Sequence, residues 1–156
     1  MKAIALVVTV LMLVPSICIG AEVYVTRDAL RSSILIPSHM TIKEAKAIYR
    51  ISLELSQGEQ VMVYGCANVT NDTGRNVGWG VVLKETTTNE YISPRQTRNV
   101  TPDMHHDSNS VVGTFEAPAD GTYTFALMLW CGSSTVYGKY LTIETNNFGQ
   151  VMVHIL

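Results

Sequence analysis

The chain has 156 residues, 47% of them hydrophobic and 15% charged, with a formal net charge of −2. That length suits one compact domain, and the apolar fraction is enough to fill a core, so wholesale disorder is excluded. A near-neutral balance leaves no basic face, and no nucleic-acid partner is expected.

Met1-Lys2 opens the chain, an apolar run from Ala3 to Val14 follows, Pro15 breaks it, and Ser16-Ile17-Cys18-Ile19-Gly20-Ala21 leads onward. Basic start, apolar middle and small-residue exit are the anatomy of a secretory signal peptide. Residues 1–20 are therefore predicted to be that peptide, cleaved after Gly20 or, as second choice, after Ala21; residues 21–156 are predicted to form a single domain. Lipidation at Cys18 is the alternative, disfavoured because Ile17 precedes it where a small residue belongs. The apolar run is too short to cross about 30 Å of hydrocarbon, and no second run of spanning length follows. The expected location is secreted or extracellular, or the periplasm or cell surface in a bacterium.

Cys66 and Cys131 lie beyond the leader. An oxidising compartment predicts one disulfide between them, which would contribute about 4 kcal/mol in the chain-entropy model. The alternative is two buried free thiols packing as small hydrophobes.

From Glu22 onward the hydrophobic period is two. Ala47 to Leu55 has apolar odd positions and mostly polar even ones, the pattern of a half-buried strand. Before it, Thr41-Ile42-Lys43-Glu44 fits a capping box and predicts a single helical turn. Ser56–Glu59 turns the chain into a second strand, Gln60 to Val69, and Asn71-Asp72-Thr73-Gly74 turns it again. Val77, Trp79, Val81 and Leu83 alternate next, and a polar stretch from Glu85 to Ser110 carries Pro94 and Pro102. Strands are predicted at Val111–Ala117, Thr122–Cys131, Tyr140–Glu144 and Val151–Ile155. Seven or eight short strands between turn signals define an all-β chain, an antiparallel β-sandwich of jelly-roll or immunoglobulin-like type.

The stretch from Gly113 to Phe125, with Pro118-Ala119-Asp120-Gly121 at its centre, resembles a hairpin of extracellular jelly rolls, C1q-like domains among them. That short resemblance implies architecture and no activity.

Three features carry chemistry. His105-His106-Asp107, with Asp103 before it, is the densest polar cluster. Adjacent side chains on an extended segment point to opposite sides, and no HExxH, CxxC or calcium-loop spacing occurs, so a solvated loop is expected and neither metal nor cofactor. A hydrolase would use His105 or His106 as base, Ser108 or Ser110 as nucleophile, and Asp103 or Asp107 as orienter. Triad members normally converge from separate loops, and no GxSxG elbow is present. Trp130 and Met128 share the strand face opposite the core set Tyr123, Phe125, Leu127, Leu129 and Cys131. Displayed, Trp130 would be a stacking platform; otherwise another element covers it. Gly78 and Gly80 leave one face of their strand bare, so that a ligand or another backbone can approach.

Three sequons begin at Asn68, Asn71 and Asn99. Asn99, in its long loop, and Asn71, in its turn, are the better expected acceptors. The function expected from all this is non-enzymatic binding of a glycan or an extracellular protein through the Glu85–Ser110 segment and Trp130. A structural, self-assembling coat, matrix or filament subunit is the alternative, its C-terminal strand adding to a neighbour's edge.

Overall fold

A computed structural model describes residues 22–102, 106–145 and 149–156. Its strands are β1 (Val23–Thr26), β2 (Ser33–Leu35), β3 (Lys46–Leu55), β4 (Gln60–Thr70), β5 (Val77–Glu85), β6 (Glu90–Tyr91), β7 (Gln96–Val100), β8 (Asp107–Glu116), β9 (Gly121–Gly132), β10 (Tyr140–Ile143) and β11 (Gln150–Ile155). One 3-10 turn spans Ile42–Glu44, and Thr41 caps it by accepting from the Lys43 N–H. Among the described residues no helix is long and apolar enough to cross a membrane.

Two antiparallel sheets pack face to face. In the first, β1-β11-β4-β8 lie side by side, with β10 pairing the far end of β4 and β2 beyond it. In the second, β3-β9-β5 are joined by β6 and β7, both on the outer edge of β5. Consecutive long strands change sheet at every step: β3 to β4, β4 to β5, and β8 to β9. An immunoglobulin arrangement would keep several consecutive strands as neighbours in one sheet, so the architecture is a jelly roll.

The sheet-crossing order corrects one expectation. Gly113–Phe125 is not a hairpin, because β8 pairs with β4 while β9 pairs with β3 and β5. The Pro118–Gly121 turn instead arches between sheets, beside the equivalent arch at Ser56–Glu59. The arches brace each other: Gly58 N–H donates to Ala117 O at 2.8 Å, and Gln57 N–H to Asp120 Oδ1 at 2.7 Å. The Tyr123 hydroxyl closes the second arch by donating to Ala119 O at 2.8 Å.

Odd positions of β4, β8 and β9 fill the core, as a period of two requires. Val61, Val63, Trp79, Phe125, Leu127, Leu129 and Val153 are all buried there. Strand β3 breaks the rule at its start. A register shift between Ala47 and Tyr49 buries Ile48 as well, as a β-bulge does. The C-terminal strand is not a free edge: β11 pairs with β1 on one side and β4 on the other. Edge-to-edge strand addition along the paired length of β11 is thereby closed off, and the outer strand on that side among the described residues is the four-residue β1.

Candidate functional site

The predicted display face on β9 is closed. Trp130 points outward with Met128, as its register demands, but it is only 4% exposed. Its indole lies on Gly80, where a Cβ would come within 2.6 Å of the ring. On the same outward face, a Cβ at Gly132 would stand 2.1 Å from the Met40 nitrogen, and one at Gly78 would lie 3.6 Å from the Met40 sulfur. The segment around Pro37–Thr41 therefore covers this end of the sheet, anchored where Ser133 N–H donates to Pro37 O at 3.0 Å. Gly78 and Gly80 do admit close neighbours, but those neighbours are the chain's own: Asn99, Gly132 and Met40 at Gly78, and Gln96 and Trp130 at Gly80.

His105 and Asp103 lie outside the described residues. His106 does not turn to Asp107. Its Nδ1 is 2.6 Å from Glu144 Oε2, and Glu144 Oε1 accepts from Thr70 Oγ1 at 2.6 Å. Asp107 faces inward, 4% exposed, and its Oδ2 accepts from the Trp79 indole N–H at 2.6 Å.

The cysteines stand apart as free thiols, where one disulfide was expected. Cys66 occupies an even, outward position on β4, whereas Cys131 occupies an odd, core position on β9 in the other sheet. Buried there, the Cys131 thiol donates to Leu35 O at 3.7 Å, and burial, with the Glu44 charge second, pushes its pKa up to about 12.

One of the expected acceptors, Asn71, does not lie on the surface. Asn71 is fully buried, and its amide donates to Arg75 O at 2.7 Å and Val100 O at 3.0 Å while its carbonyl accepts from Thr73. A glycan on that nitrogen would displace both bonds and has no room. Asn99 is exposed on β7, and Asn68 is half-buried on β4.

The open site lies on the other sheet. Even positions of β4 and β8 share its outer face, and cross-strand pairing sets Cys66 beside Ser110 and Asn68 beside Ser108, with Tyr64 one row away opposite Val112. From the second sheet, β7 brings Gln96 and Arg98 round the β8 edge. Together with Asn109 these residues line a groove of about 550 Å³. Asn109 closes its inner wall by donating to Gln96 O at 3.3 Å. Arg98 Nη1 stands 3.7 Å from Asp107 Oδ1. Burial raises the pKa of the Tyr64 phenol, and Cys66 adds to the rise against a smaller opposing hydrogen bond from Ser110. At neutral pH the groove therefore presents a phenol O–H, amides, hydroxyls and one guanidinium. Five of its eight residues, Gln96, Arg98, Ser108, Asn109 and Ser110, come from the polar Glu85–Ser110 segment singled out by sequence. Tyr64 was missed there. The usable signal was the polar even register of β4, where Tyr64, Cys66, Asn68 and Thr70 interleave with buried odd positions.

No family model matches the chain, and no curated protein matches it. Among solved structures it is similar to that of the infectious bursal disease virus Gx strain, with 10% identity, a TM-score of 0.46, and coverage of 87% of this chain and 32% of that one. It is also similar to the CBM22-1–GH10 modules of the Clostridium thermocellum N-terminal endo-1,4-β-D-xylanase 10B, complexed with xylohexaose. There identity is 12% and the TM-score 0.32, over 86% of this chain and 25% of that one. The chain thus spans about a third and a quarter of the length of these two structures.

Proposed function

We propose that the protein is an exported, non-catalytic binding module whose groove between Tyr64 and Arg98 takes a glycan. The observation that carries this is the convergence of one aromatic ring, one guanidinium, primary amides and two hydroxyls on one open groove. Sugars offer apolar C–H faces to an aromatic ring and vicinal hydroxyls to planar amides and guanidinium groups, and a concave site with a few convergent polar groups is suited to both. Export rests on the leader-like pattern of residues 1–20.

The test is binding of the folded protein to a glycan array, with Tyr64→Ala beside it. Selective binding that falls roughly tenfold in the variant, about 1.4 kcal/mol, is the expected result. No glycan bound by the folded wild-type protein overturns the reading, as does binding indifferent to both Tyr64→Ala and Gln96→Ala. Self-assembly is the second reading, favoured by Val23, Val25, Met62 and Val112, which stand exposed on the same sheet face. Light scattering at rising concentration separates the two: a monomer throughout removes assembly.

A further inference from the structure

Arg98 is the one permanently charged side chain lining the groove among the described residues. It is not an independent cation. Asp107, behind it on β8, holds the Trp79 indole N–H with one oxygen, and its other oxygen faces Arg98. A carboxylate buried to this degree against one neutral donor is costly unless a cation offsets its charge, and Arg98 supplies it. A guanidinium has five N–H donors, so pairing with one carboxylate oxygen leaves donors for a ligand while the net charge is cancelled. Trp79 is itself fully buried between the sheets, so the row Trp79–Asp107–Arg98 ties the groove wall to the core.

We propose that Asp107 is a positioning residue that fixes Arg98 at the groove and neutralises it, so the groove selects an uncharged, hydroxyl-rich glycan over an acidic one. This rests on the glycan reading and deepens it. An acidic sugar would have to compete with Asp107 for the guanidinium and would meet the Asp107 charge behind it. A neutral sugar uses the free N–H donors without that competition.

The experiment is an array of paired neutral and acidic oligosaccharides, the acidic members carrying a carboxylate or sulfate, probed at two salt concentrations. Wild-type protein is expected to bind neutral members at least tenfold more tightly, with little dependence on salt. Asp107→Asn keeps a carbonyl for the Trp79 N–H and removes the charge. Its preference should shift at least tenfold toward acidic members, and that new binding should weaken with salt, because a freed Arg98 charge is screened. Arg98→Gln leaves Asp107 on Trp79 and should lose neutral binding without gaining acidic binding. The Trp79 indole proton resonance reports that each variant is folded, a readout that separates altered selectivity from simple loss of structure. Wild-type preference for acidic members overturns the proposal, and so does an unchanged preference in folded Asp107→Asn. Should that variant not fold, unchanged neutral affinity in Arg98→Gln overturns it instead. Binding without charge preference sinks the selectivity alone; no binding of either class sinks the glycan reading with it.

Discussion

Trp130 on β9 and Tyr64 on β4 both point away from the core, yet one is 4% exposed while the other lines an open groove. Their strands differ in the outward register, which turns apolar on β9 through Ala126, Met128 and Trp130 and stays polar on β4 after Tyr64 through Asn68 and Thr70. The surroundings of each face differ as well. On β9 the indole lies down on Gly80, and the segment before β3 folds across Gly132 and Gly78 beside it. Over β4 and β8, among the described residues lining the groove, the rim is supplied by Gln96 and Arg98 of β7. An aromatic residue in an outward register is thus a candidate platform only until the loops are placed.

Paired truncations test that contrast most severely. Trp130→Ala should cost about 3 kcal/mol of stability, as loss of a buried indole does. Tyr64→Ala, on the open face, should cost under about 1 kcal/mol. Denaturant midpoints measure both, and equal losses would mean the two faces are closed alike.

The closed sheet should also show acid sensitivity of its own. Glu85, at the end of β5, is buried, which taken alone raises its pKa. Hydrogen bonds from the Thr88 N–H and hydroxyl, the Thr87 N–H and the Thr124 N–H overrule burial and leave the pKa below the ordinary value of 4.5. A group depressed in the folded state stabilises above its unfolded pKa, and that contribution disappears as pH falls through the folded one. Stability should therefore fall on acidification below about pH 4.5. Glu85→Gln should flatten that part of the profile, measured as denaturant midpoint against pH.

The smallest effect contrasts the two thiols. Maleimide should label Cys66 in the folded protein and reach Cys131 only after unfolding, with peptide mass spectrometry locating the label. Native labelling of Cys131 would contradict its burial and its thiol pKa of about 12. A groove ligand should slow labelling of Cys66, since that side chain lines the groove.

Much of the strand set was legible because its information is local. Alternation over 47–55, 60–69, 77–83, 122–131 and 151–155 reports one buried face at a time, and each of these runs is a strand. Strand β7 was not legible: Gln-Thr-Arg-Asn-Val has four exposed residues and one buried, so no periodic signal marks it. Strands β2 and β6, of three and two residues, are too short to carry a period. The groove was half legible, in the polar segment that supplies most of its residues but not in the β4 side chains that complete it.

By itself, then, the sequence determined the all-β class and, along most strands, which side chains face inward, because both follow from the two-residue repeat of an extended chain. Partnership was decided only in three dimensions. A turn such as Pro118–Gly121 has the same chemistry whether it folds a hairpin or arches between sheets, and the choice depends on which distant strand lies alongside. That choice put Cys66 on the outer face of one sheet and Cys131 on the inner face of the other, buried Asn71, covered Trp130, and brought Arg98 from one sheet to Asp107 on the other.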